Sequence, residues 1–120
     1  MNKMEVALNL FDEHSFIRVS KLLIQYTKDT LSVVVLCEII SKMRRFQKDL
    51  YEGKWLFYTR DNIEKDFFLS HYQQRVIFQH LEELDLIKTM TLNDTQVRRK
   101  YYTVNFEKLL EVFSSNQDIQ

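Results

Sequence analysis

The sequence predicts a mixed α+β fold, mostly helical, with a β-hairpin near its end. Three observations carry this. From Thr30 to Leu84 the apolar residues recur at helical spacing. From Ile87 to Val104 the pattern changes to β-branched and aromatic residues around a polar turn. The chain has one glycine, Gly53, and no proline, which disfavours a loop-rich all-β fold that depends on turn residues.

The elements follow in order. Residues 1–15 fit two periods: Val6, Leu8 and Leu10 alternate as in a strand, whereas Ala7, Leu8 and Phe11 sit at helical spacing. Phe16 to Val19 has the composition of a short strand. Ser20 reads as the N-cap of a helix over Lys21–Tyr26, because its hydroxyl can accept an orphan backbone N–H. Thr30 reads as the cap of the next helix, expected to run to about Asp49. Leu36, Ile39, Ile40, Met43, Gln47 and Leu50 form its stripe, with Val33, Val34 and Val35 on other faces, so this is the expected central buried helix. Gly53 suits a left-handed turn between Tyr51 and Lys54. Trp55–Tyr58 is expected to be extended. Thr59 or Asp61 caps a short helix ending about Phe67.

Ser70 and Gln73 then make an S-x-x-Q capping box, in which each side chain satisfies a backbone N–H at the helix start. The helix runs to about Leu84, with Ile77, Phe78, Leu81 and Leu84 inward. Tyr72, Arg75, Val76, Gln79 and Glu83 point away from them. Ile87–Leu92 and Lys100–Val104 are the strands, Asn93–Thr95 the turn, and Phe106–Phe113 a closing helix capped by Asn105. Residues 1–15 are an N-terminal arm suited to self-association, 16–113 the domain, and 114–120 a flexible tail.

Composition excludes several functions. At 120 residues, 45% apolar and 28% charged, the chain is one ordinary globular domain, able to bury roughly two-thirds of its unfolded surface. With one glycine there is no G-x-G-x-x-G or P-loop phosphate cradle. Cys37 is the single cysteine, so neither an intrachain disulfide nor a cysteine-based zinc site can form; an inert buried thiol in a reducing, cytoplasmic setting is expected. Met1 to Phe11 has no secretory apolar core, and Leu31–Ile40 is too short to span a bilayer. His14, His71 and His80 lack metal-ligand spacing, and no carboxylate pair is singled out for acid–base work. No catalytic residue, metal or cofactor is therefore expected.

A short helix, a turn, a capped helix and a hairpin make the order of a winged helix-turn-helix, here with a C-terminal β-hairpin wing and extra N- and C-terminal elements. A helix about 10–12 Å across fits the major groove, and a hairpin beside it reaches neighbouring phosphates. Trp55-Leu-Phe-Tyr-Thr59, Leu69-Ser-His-Tyr-Gln-Gln-Arg75, Leu81-Glu-Glu-Leu-Asp-Leu-Ile87 and Arg99-Lys-Tyr-Tyr-Thr-Val-Asn105 together resemble the N-terminal winged-helix domain of phage and plasmid replication initiators, the replisome organisers. The resemblance covers roughly residues 16–113. It implies binding to origin DNA as a homodimer, and a host replication protein as a further partner. Asp85 stands where that family's turn has glycine.

Lys plus Arg and Asp plus Glu are 17 each, so DNA binding must rest on a local patch. Candidate base-reading residues on the recognition helix are His71, Tyr72, Gln74, Arg75 and Gln79, since Arg grips guanine and Gln adenine through paired hydrogen bonds. Candidate phosphate contacts on the wing are Arg98, Arg99 and Lys100, with no acid between Gln96 and Phe106. Against them, Arg75 faces Glu82, Glu83 and Asp85, leaving residues 70–85 two charges negative. Lys42, Arg45 and Lys48 read as a solvated helix face. Trp55, Phe57, Tyr58, Phe67 and Phe68 read as core rather than as a single-strand stacking platform.

The expected function is sequence-specific binding of double-stranded DNA, in replication initiation or, on the same fold, transcription regulation. The rival is a protein-interaction module, for example a phage-encoded inhibitor of a host factor, favoured by neutral charge and the acidic end of the recognition helix. No membrane partner is expected.

Overall fold

Short polar side chains start the helices. In the computed structural model, which describes residues 2–13, 16–93 and 97–117, the Ser20 hydroxyl accepts the Leu23 N–H at 3.2 Å and opens α2 (Lys21–Thr27). The next helix, α3 (Thr30–Arg45), is capped by Asp29 and not by Thr30. The physical reason is capacity: the Asp29 carboxylate accepts both the Ser32 N–H at 3.4 Å and the Ser32 hydroxyl at 2.7 Å. Thr59 caps α4 (Arg60–Phe67), accepting from Asn62 N–H at 3.1 Å. Ser70 and Gln73 close both bonds of the capping box of α5 (His71–Glu83), at 3.2 and 2.9 Å. Asn105 accepts the Lys108 N–H at 3.2 Å and opens α6 (Phe106–Gln117).

Several segments depart from expectation. The arm is a helix, α1 (Lys3–Glu13), with no buried residue. Phe16–Val19 is irregular rather than a strand. The central helix stops at Arg45, followed by a 3-10 turn over Gln47–Asp49. Beyond Met43 the next stripe positions, Phe46 and Gln47, are exposed, so no core contact supports another turn. Helix α6 continues to Gln117 and takes in Ser114 to Gln117 of the expected tail. Asp94 and Thr95 of the hairpin turn lie outside the described residues.

With one glycine available, other residues end the helices. Lys28 (φ 58°), Phe68 (φ 56°) and Asp85 (φ 59°) are all left-handed. After α5 the Leu86 N–H donates to the Leu81 carbonyl at 3.0 Å and the Asp85 N–H to the Glu82 carbonyl at 2.9 Å, the paired bonds of a Schellman motif. Leu81 and Leu86, which the motif brings together, are wholly buried.

The sheet is antiparallel in the order β1-β3-β2, from β1 (Leu56–Phe57), β2 (Ile87–Asn93) and β3 (Arg98–Val104). Its register pairs Ile87 with Val104, Asn93 with Arg98, and Leu56 with Tyr102. The fold is thus mixed α+β, with α3 central as expected. Val33, Leu36 and Ile39 of α3 pack with Leu23, Ile63, Leu81 and Ile87 in one core. Phe78 of α5 stacks on Tyr102 of β3 at 4.6 Å between centroids, seating helix on sheet. Tyr58 joins this core, but Phe57 and Phe68 are exposed, correcting their expected burial. Among the described residues, no helix is long and apolar enough to cross a membrane.

Candidate nucleic-acid interface

The capping box fixes where α5 begins, and so which side chains its first turns present. Tyr72, Arg75, Val76 and Gln79 are exposed, on the face that periodicity assigned to them. The Arg75 guanidinium lies over the Tyr72 ring at 5.9 Å. Gln79 donates its side-chain amide to Glu83 at 3.3 Å.

Gln74 does not belong to this face. It is 2% exposed, and its amide donates to the backbone carbonyls of Arg60 and Leu69, each at 3.0 Å. A side chain so held cannot reach a base edge, and its assignment as a base-reading residue is withdrawn. The spacing explains this: position 74 falls between Ile77, Phe78 and the α4–α5 turn, on the packed side of the helix.

His71 opens α5 beside acids. Its Nε2 lies 3.5 Å from both an Asp61 and a Glu64 carboxylate oxygen. Asp61, Glu64 and His71 each place one donor atom within 4.8 Å of the others, on three exposed residues. The donor types suit a divalent cation, and direct contact of the His71 ring nitrogen with two carboxylates accounts for the same geometry. The sequence showed no such motif because the donors come from two helices.

The hairpin cations divide between two faces. Strand alternation places Arg98, Lys100 and Tyr102 on one side and Arg99 on the other. Arg99 sits over the Phe57 ring at 5.9 Å, whereas Lys100 lies over the Tyr102 ring at 5.6 Å, facing α5. The three were expected to act as one patch; the structure does not bring Arg99 to the side of the other two.

Lys100 instead meets α4 and α5. A cleft of about 160 Å³ between them is lined by Arg60, Arg75, Gln79, Glu82, Lys100 and Tyr102, with His71, Gln74 and Phe78. Burial, and then the Arg60 guanidinium, hold the Lys100 ammonium below its usual pKa; Arg98 adds to this and Glu82 opposes it. Burial also pushes the Tyr102 phenol up to about 12. The cleft therefore concentrates positive charge partly away from water, where an added anion gains most.

Two features went unseen in the sequence. Arg60 is the first residue after the Thr59 cap, and its position there was the available signal. Phe68 is 90% exposed at the left-handed end of α4, a position expected in the core. Lys42, expected on a solvated face, lies 3.8 Å from Asp66 and over the Tyr58 ring at 5.0 Å. Comparisons with protein-family models, with curated proteins and with solved structures find no match for this chain.

Proposed function

We propose that the chain is a non-enzymatic winged helix-turn-helix domain that binds double-stranded DNA sequence-specifically, as in a phage or plasmid replication initiator or a related regulator. The order α3, β1, α4, α5, β2, β3 with sheet order β1-β3-β2 supports the winged-helix assignment. The observation that carries the function is the adjacency of the exposed α5 face to the cleft holding Arg60, Arg75 and Lys100. In this reading α5 enters the major groove, and Arg75 and Gln79 reach base edges. Arg60, Arg98 and Lys100 hold the flanking phosphates, and Tyr72 orients Arg75 through its ring.

Duplex binding measured at several salt concentrations tests this. Wild type binds at low salt, and Arg75→Ala loses about 1–3 kcal/mol of preference for its best sequence over random duplex. Arg60→Ala weakens all duplexes alike and makes the salt slope shallower by about 0.9. Absence of duplex binding at 50 mM salt overturns the proposal.

A second reading, a protein-docking module, is favoured by Tyr72 and Val76, exposed one turn apart on the same face of α5. Apolar residues grouped on one face suit a protein partner better than phosphate. Val76→Ser separates the two, because duplex affinity changes little if this face serves a protein.

A further inference from the structure

The N-terminal helix α1 (Lys3–Glu13) buries nothing. Met4, Leu8 and Phe11 lie at helical spacing on one face and are 66%, 55% and 66% exposed. An isolated helix of this length is marginal in water, so its stability has to come from a surface that covers this face. It also carries an electrostatic mismatch: Asp12 and Glu13 sit at its C-terminal end, with no basic residue in the last turn. Acids there add to the negative pole of the helix dipole.

The same chain has a surface with the opposite character. A groove of about 640 Å³ between α2, α3 and α6 is walled by Phe16, Val19, Ile40, Leu109 and Phe113, and the charged residues lining it are Arg18 and Arg44. Groove and helix match in polarity and are opposite in charge, two cations against the net two negatives of Lys3, Glu5, Asp12 and Glu13. The Phe11 and Phe16 rings stack at 5.8 Å, nearly parallel, so the helix departs from the body beside the groove wall. The radius of gyration, 16.6 Å, exceeds the about 14 Å of a compact domain of this length, as an extended arm requires.

We propose that the occupant of the groove is α1 of a second copy of this chain, giving a two-fold dimer by reciprocal arm exchange. Each copy supplies one arm and one groove, so the two-fold arrangement closes with both apolar faces covered and both charge pairs made. Met4 and Leu8 insert against Val19, Ile40 and Phe113 of the other copy, and Asp12 and Glu13 meet its Arg18 and Arg44. This does not depend on the DNA-binding reading.

Light scattering on the full chain over a range of concentrations tests the proposal, with circular dichroism as the control for folding. Wild type is a dimer that dissociates on dilution. Leu8→Glu, in the arm, and Val19→Glu, in the groove, are each monomeric. Mixed together, the two variants form a mixed dimer weaker than wild type, because one intact arm–groove pair remains. Arg44→Glu, at an exposed groove position, weakens the dimer at least tenfold, and Asp12→Arg with Glu13→Arg in the same chain restores it. A wild-type monomer at all concentrations overturns the proposal. So does a dimer unaffected by both Val19→Glu and Arg44→Glu, which would mean that α1 pairs with α1 and leaves the groove empty.

Discussion

The Gln74 side-chain amide donates to the Arg60 backbone carbonyl at 3.0 Å, tying α5 to the first turn of α4. Its second hydrogen goes to the Leu69 carbonyl at the same distance. One buried side chain thereby bridges the helices that carry Arg60 and Arg75, whose relative placement the shared apolar core also holds. Gln74→Leu should cost about 2 kcal/mol of stability, since two carbonyls lose their donor. Urea unfolding would measure this. Sequence preference, in the variant that still folds, should stay as in wild type. A changed base preference with unchanged stability would return Gln74 to the binding face.

Asp85 holds φ 59° in the turn that ends α5. A side chain in that conformation is strained, and glycine is not. Asp85→Gly should stabilise the protein by about 0.5–1 kcal/mol, the relieved strain being partly offset by the freer unfolded chain. Asp85→Ala should destabilise it, lacking even the local hydrogen bonding of aspartate. Thermal melts of the three proteins give the order Gly, Asp, Ala if the strain argument holds.

Arg99 and Lys100 are neighbours in sequence that face opposite sides of the hairpin. On the DNA-binding proposal, Lys100→Ala should make the salt slope shallower by about 0.9 and Arg99→Ala should leave it unchanged. Equal effects would show that the hairpin turns on binding. Fluorescence anisotropy with one labelled duplex at four salt concentrations is sufficient.

Alkaline pH should unfold the protein through its buried phenols. Burial lifts the Tyr102 phenol from 10.0 to about 12. Burial lifts Tyr58 as well, and its hydrogen bond to the Asp66 carboxylate, at 2.5 Å, adds to the rise. A phenol raised on folding stabilises the protein fully below pH 10 and loses that contribution as pH climbs, because the unfolded chain ionises first. For Tyr102 the full loss is about 2–3 kcal/mol, reached near pH 12. Stability by urea titration should fall between pH 10 and pH 12, and Tyr102→Phe should flatten the fall. A pH-independent stability over that interval contradicts the burial.

The sequence by itself determined helices α2 to α6, the caps at Ser20, Ser70 and Asn105, the inward stripe of α5 and the two hairpin strands, and narrowed the α4 cap to Thr59 or Asp61. These rest on interactions within a few residues, where periodicity and short polar side chains act directly. The left-handed Asp85 was signalled only by the resemblance, in which glycine occupies that turn position. Helical spacing turns Gln74 inward and strand alternation parts Arg99 from Lys100. Only the tertiary structure decided that Gln74 holds the Arg60 and Leu69 carbonyls and that Arg60 joins Lys100 across 40 positions of chain. Such meetings depend on how α4, α5 and the sheet seat together against α3, and no local pattern encodes them. The exposed apolar face of α1 is of the same kind: its spacing fitted a strand or a helix, and only the structure shows a helix with no buried residue.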